Sequence, residues 1–149
     1  MPKPFTLQPL LDLSQRKNES ATRKLGELTR QQLSEQKKLE TLLQFRKDYQ
    51  DKFQAASRNG MDSVGISNFQ NFLDRLDEAV QQQRGVIDQA NRSVLAGRQA
   101  LTEAQRSMKS FDTLAQRHAE TEQLQARRTE QKMQDEQAGQ FAARNASNE

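Results

Sequence analysis

The stretch Asn68-Phe69-Gln70-Asn71-Phe72-Leu73-Asp74-Arg75-Leu76-Asp77-Glu78-Ala79-Val80 sets apolar side chains at alternating steps of four and three residues. Phe69, Leu73, Leu76 and Val80 open a walk that continues through Gln83, Ile87, Ala90, Val94, Gly97, Leu101, Ala104, Met108, Phe111 and Ala115 to His118. Only Gln83, Gly97 and His118 interrupt it. A 3.5-residue spacing held over about seven repeats marks a coiled coil, because it keeps one stripe of a helix against a partner as the two wind left-handedly.

The same walk exists upstream. It runs through Leu7, Leu11, Ser14, Asn18, Ala21, Leu25, Leu28, Gln32, Glu35, Leu39, Leu42, Arg46, Tyr49, Phe53 and Ala56, with five polar members. Between the two lies Ser57-Arg58-Asn59-Gly60-Met61-Asp62-Ser63-Val64-Gly65-Ile66-Ser67, whose Asn-Gly pair, second glycine and short polar side chains read as a turn. Ser67 and Gln70 stand at capping-box spacing, which predicts the start of the second helix there. Leu7 to Ala56 and Phe69 to His118 each span 50 residues. Equal seams predict that the chain folds back on itself, as a paired rod of ~75 Å at 1.5 Å per residue.

The expected fold is therefore all-α: a long antiparallel two-helix coiled coil, a helical hairpin, with an overhanging C-terminal helical tail. One elongated domain, 1–149, would comprise a first helix at 5–57, a turn at 58–67, a paired second helix at 68–118 and a tail at 119–149. The tail would be helical and then frayed near Gly139 and the Asn145–Asn148 stretch. Facing seam residues should have numbers that add to 122, pairing Leu28 with Val94 and Leu42 with Val80, or to 129, pairing Leu28 with Leu101 and Leu42 with Ile87. The sequence admits both registers. Asn18, Glu35 and Arg46 either pin the register, as buried polar residues do in other coiled coils, or reach past a thin seam to water on their long stems.

Composition agrees with a narrow seam and argues against a globular enzyme. The 149 residues are 33% apolar and 5% aromatic, where an ordinary globular domain is roughly 45–50% apolar. Good helix formers dominate, with only three Pro and six Gly. The 23 Lys and Arg nearly balance 20 Asp and Glu, so there is no bulk electrostatic footprint for nucleic acid. The pairs Lys37-Lys38 and Arg127-Arg128 lack interleaved aromatics. With no Cys there is no disulfide framework or thiolate site. Neither a signal-peptide run nor the ~20 apolar residues of a spanning helix occurs, which predicts a cytoplasmic protein without membrane insertion of its own.

Nothing in the sequence reads as catalytic, cofactor-binding or metal-binding. His118 is the single histidine, and no Gly-Lys-Ser/Thr follows Gly60 or Gly65 as a phosphate loop would need. His118 is expected to be a solvated residue at the end of the seam. Gly26 and Gly85 fall on the outer faces of the helices.

Two regions read as places where another molecule could bind. Numbering the heptad so that Leu42 and Leu76 are d residues puts Phe45, Phe72, Ala79 and Val86 at g, and the two g rows of an antiparallel pair share one flank. A partly exposed apolar strip should result, read either as a docking surface or as a core stripe broadened over the seam. The second region is the tail. Beyond His118 the walk meets Glu122, Gln125, Thr129 and Lys132, while Leu124, Arg127, Arg128, Met133 and Phe141 decorate a segment with no partner in this chain. It is either a solvated end or a helix awaiting another protein.

Three segments, Leu42-Leu43-Gln44-Phe45-Arg46-Lys47-Asp48-Tyr49, Asn68 to Val80, and Glu130-Gln131-Lys132 with Asp135-Glu136, make the chain resemble the FliJ family over nearly its whole length. That family is the soluble coiled-coil component of the bacterial flagellar type III export apparatus. The resemblance implies a nonenzymatic stalk, similar in shape to the rotary-ATPase gamma subunit. Such a stalk promotes assembly and activity of the hexameric flagellar export ATPase, contacts the large membrane export-gate protein and binds flagellar export chaperones. It further implies a role in flagellum biogenesis, motility and chemotaxis, and a peripheral position at the cytoplasmic side of the inner membrane through partners. The gate-binding positions it implies are Lys38, Leu42, Phe45, Tyr49, Phe72, Leu76, Ala79 and Gln83. The ATPase-ring contacts it suggests in the tail are Leu124, Arg127, Arg128, Lys132 and Met133. The family pattern often has Tyr where this chain has Phe45 and His where it has Gln83, so an aromatic contact should survive here better than a polar one. The alternatives are an injectisome type III secretion stalk and a general structural coiled coil.

Overall fold

The structure, a computed structural model, describes residues 3–148. It holds two helices, α1 (Gln8–Arg58, 51 residues) and α2 (Ser63–Ser147, 85 residues), and no strand among the described residues. They form an antiparallel coiled-coil hairpin, as the spacing predicts. Every seam position from Leu7 to Ala56 and from Phe69 to His118 is buried or half-buried. Few are sealed completely, since two helices alone cannot surround a side chain.

The helix ends follow local chemistry. Thr6 and Leu7 make a turn ahead of α1, and the Leu7 carbonyl accepts from the amides of Leu10 and Leu11, both at 3.0 Å. Pro9 sits in the first turn, where its missing N–H costs no intrahelical bond. At the other end Gly60 has φ +86° and donates to the Ser57 carbonyl at 3.3 Å, a left-handed helix stop that side chains with a Cβ disfavour.

The second helix starts earlier than its sequence suggests. Asp62 caps it: its Oδ1 accepts from the Gly65 amide at 2.8 Å and its carbonyl from the Ile66 amide at 3.1 Å. The turn thus contracts from 58–67 to residues 59–62, and Ser67 lies inside α2. Asp is as good a cap as Ser, and Gly65 leaves room for Met61, whose Cγ would stand 2.7 Å from a Cβ there. At the far end α2 runs through Gly139 to Ser147 without fraying before it. The last predicted residue of the tail, Glu149, lies outside the described residues.

The chain groups into two compact units, Glu19–Thr102 and the terminal unit made of 1–18 with 103–149. In Glu19–Thr102, Val80, Ala90, Val94 and Gly97 are buried, with Val94 only 2% exposed. The register is the one whose numbers add to 122. Phe53 and Phe69 meet with ring centroids 5.3 Å apart, and a Cβ built on Gly97 lies 3.9 Å from the Cα of Leu25. Gly97, which interrupts the apolar pattern, gives the side chains of Leu25 and Leu28 their space. The other register would set Glu35 opposite Val94. In the observed one, Gln32, Glu35 and Arg46 reach across to Asn91, Gln83 and Asp77.

The terminal unit is closed by residues ahead of α1. Leu11 and Ser14 are buried, and the Ser14 hydroxyl is satisfied by donating to the Leu11 carbonyl at 2.7 Å. His118 is not solvated as expected: it is half-buried, 5.6 Å from the ring of Phe5, with Nε2 2.8 Å from the Lys3 carbonyl oxygen. The Lys3 amide donates to Glu122 Oε2 at 3.2 Å. From Gln123 to Asn148 every residue is exposed.

Candidate partner-binding surface

All eight sequence-predicted gate-binding residues lie in the Glu19–Thr102 unit, and the heptad sorts them into two rows. Leu42, Tyr49, Leu76 and Gln83 are d residues and are half-buried along one edge of the seam. Lys38, Phe45, Phe72 and Ala79 are g residues on the flank beside it. Phe45 is 58% exposed and Phe72 44%, with Val86 of the same row also at 44%. The strip is therefore open to solvent and is not folded over the seam as a broadened core.

An aromatic cluster near the turn supports it. Tyr49 packs between Phe69 and Phe72, with centroids 4.9 and 4.2 Å away, and Phe69 continues to Phe53. Phe72 thus rests one face on Tyr49 and turns the remainder outward. Tilted ring pairs at such spacing add stabilisation beyond area alone, so the outward part of Phe72 is held in place by the seam. Phe45 has no ring partner among the described residues.

Farther along α1, Glu35 joins two of the predicted residues. Gln83 Nε2 donates to the Glu35 carbonyl at 2.9 Å and to its Oε2 at 2.6 Å, while Lys38 Nζ lies 3.1 Å from Oε1. The Glu35 side chain is 12% exposed and that of Lys38 62%. Hydrogen bonding from Gln83, with Lys38 beside it, holds the Glu35 carboxyl below its ordinary range. Glu35 was not among the residues the sequence marks for binding. Its seam position next to a g-row Lys was the available signal. Lys38, Leu42 and Gln83 also share a shallow groove with Ser34, Lys37 and Thr41.

The opposite flank is organised differently. Arg46 turns away from the apolar strip and donates from Nε to Asp77 Oδ1, and the Asp77 carboxylate raises the Arg46 pKa further. One acidic e residue is consumed there. Gln32 also crosses the seam, donating to Asn91 Oδ1 at 2.7 Å.

In the terminal unit, the tail residues Leu124, Arg127, Arg128, Lys132 and Met133 are all exposed. Arg127, Arg128 and Lys132 border one shallow groove with Gln131 and Asp135. Leu124, three and four residues before Arg127 and Arg128, shares their face, whereas Met133, nine residues or about two and a half turns beyond Leu124, lies on the opposite side.

A scan against known protein families matches the flagellar FliJ protein family at residues 2–147. The chain belongs to that family. Among curated proteins it is similar to the flagellar FliJ protein of Salmonella typhi, with 28% identity over 138 residues, covering 93% of this chain and 94% of that protein. The flagellar FliJ protein of Escherichia coli strain K12 matches with the same identity and coverage. Among the described residues no cluster of His, Asp or Glu could hold a metal ion. Among those residues, too, no helix is long and apolar enough to cross a membrane.

Proposed function

We propose that this FliJ-family protein is a nonenzymatic component of flagellar protein export. In this reading it acts as a stalk that promotes assembly and activity of the hexameric export ATPase, contacts the large membrane export-gate protein and binds flagellar export chaperones. It would work in the cytoplasm, peripheral to the inner membrane through those partners. The observation that carries the gate contact is the exposed flank of Phe45 and Phe72, buttressed by Tyr49. The exposed tail supports the ATPase contact, since every residue of 123–148 is open to solvent.

Phe45→Ala with Phe72→Ala tests the gate assignment by pull-down with the isolated cytoplasmic domain of the gate protein. Binding should weaken while circular dichroism stays unchanged. Undiminished binding would remove these residues from the contact. For the ATPase, the hydrolysis rate and oligomeric state of the same organism's export ATPase are titrated with the full chain and with a version ending at His118. Stimulation and ring formation should vanish with the tail, and no effect from the folded full chain would sink the stalk reading.

A further inference from the structure

The g rows of the Glu19–Thr102 unit contain no carboxylate. On α1 they are Lys24, Gln31, Lys38, Phe45 and Lys52; on α2 they are Phe72, Ala79, Val86, Ser93 and Ala100. Flanking positions of coiled coils ordinarily carry Glu and Lys that pair across the seam. Here three cations have no acid opposite them. Lys24 and Lys52 have no salt bridge among the described residues, and Lys38 is tied only to Glu35 in the seam, which leaves its side chain 62% exposed.

Apolar features alternate with these lysines. Between Lys24 and Lys38 the flank is hollow, with Leu28, Val86 and Ala90 as its apolar lining beside Gly85 and Ser93 and a rim of Gln31, Gln82 and Gln89. Gly85 leaves open space where a Cβ would stand. Between Lys38 and Lys52 the flank is raised by Phe45 and Phe72. The sequence along the seam is thus cation, hollow, cation, aromatic ridge, cation. Adjacent lysines are 14 residues apart, or ~21 Å along the helix.

We infer that this flank seats an acidic amphipathic helix of a partner protein, lying along the seam as a third strand. Carboxylates on that helix, two heptads apart, meet Lys24, Lys38 and Lys52. A large apolar side chain midway between the first two enters the hollow at Val86. A small residue midway between the next two passes over Phe45 and Phe72. The charge pattern selects an acidic partner over a basic one, and the alternation of hollow and ridge selects a helix read at fixed spacing over an unstructured acidic tail. The inference rests on the gate-binding reading for the identity of the partner, and on this flank alone for its chemistry.

A display library of helical peptides, panned against the full-length protein, tests it without assuming the partner. Selected peptides should be rich in Asp and Glu around spaced Leu or Phe. Their affinity should fall by about tenfold or more for Lys24→Gln/Lys38→Gln/Lys52→Gln, and also as NaCl rises from about 50 to 300 mM. Val86→Glu, at another exposed site, should lose binding by a similar factor and guards against misfolding of the triple variant. Neutral or basic selected peptides, affinities within about twofold for both variants, or preferential binding of single-stranded RNA at these lysines would each overturn the inference. The gate protein's cytoplasmic domain is then added as competitor. Displacement of the peptide supports the gate as occupant. Acidic helical binders that it fails to displace would support the flank's chemistry and remove the gate from it.

Discussion

Gln83 donates its side-chain amide to both the carbonyl and the carboxylate of Glu35, at 2.9 and 2.6 Å, across the seam. Two residues that interrupt the apolar pattern therefore satisfy each other. Buried polar seam residues are costly when unpaired and informative when paired, because a register shifted by a heptad would separate Glu35 from Gln83 and set it opposite Val94.

The first prediction concerns register. Leu28→Cys with Val94→Cys should form a disulfide rapidly in this cysteine-free chain, and Leu28→Cys with Leu101→Cys should not. Replacing Glu35, Arg46 and Gln83 together by Leu should let the second pair cross-link too. Cross-linking yields on non-reducing gels measure this, and equal yields for both pairs in the unmodified background would contradict the assigned register.

A second prediction follows from the depressed Glu35 carboxyl. A carboxylate whose folded-state pKa is lowered contributes stability above its ordinary value of 4.5 and loses it as pH falls through the folded-state value. Thermal melts of the parent chain should therefore decline below that pH more steeply than those of Glu35→Gln, which has no charge to neutralise. Parallel melting curves for the two would show that the Gln83 and Lys38 contacts contribute nothing measurable.

Three glycines should respond differently to substitution. A Cβ on Gly26 or Gly85 meets nothing within 4 Å, so Ala at either should raise stability by about 1 kcal/mol through helix propensity. At Gly97 a Cβ would stand 3.0 Å from Leu28 Cδ1 and 3.4 Å from Leu25 Cδ1. Gly97→Ala should gain less than the other two, and Gly97→Leu should cost about 1–3 kcal/mol by overpacking the seam. Denaturant melts of the four variants rank them, and a neutral Gly97→Leu would argue that the helices do not approach closely there.

The segment ahead of α1 should shield the single histidine. Phe5→Ala removes the ring 5.6 Å from His118, and the rate of diethyl pyrocarbonate modification at His118 should rise several-fold. Mass spectrometry reads one site without ambiguity. An unchanged rate would mean that Phe5 offers no cover.

Periodicity made the seam legible because burial along a coiled coil depends on spacing alone, and each position of the walk is withdrawn from water. Register was not legible, since exchanging one apolar pair for another a heptad away changes little. What distinguishes the alternatives is Gly97 beside Leu25 and Leu28, and the bonds of Gln83 and Arg46, which look like blemishes in a hydrophobic pattern. Asp62 competes in the sequence with the capping-box spacing of Ser67 and Gln70 five residues on, so the true cap is not distinguished by motif alone. Gly139 reads as a helix end, yet α2 runs through it because an exposed helical Gly costs only about 1 kcal/mol. Exposure of Phe45 and Phe72 could be read from the heptad. That Glu35 would link Lys38 to Gln83 could not, because it depends on the register.

The aromatic cluster beside the turn also bears on how the chain folds. Phe53 and Phe69 are 16 residues apart in sequence, whereas Gln32 and Asn91 are separated by 59. Closing the shorter loop costs less entropy, and each closed layer shortens the loop left for the next. Zippering of the Glu19–Thr102 unit accordingly starts at the turn, with Phe53, Phe69 and Tyr49 as its first durable contacts. The rings that hold Phe72 outward are then also the nucleus, so mutations in them should slow folding, while changes near Gly97 should chiefly hasten unfolding.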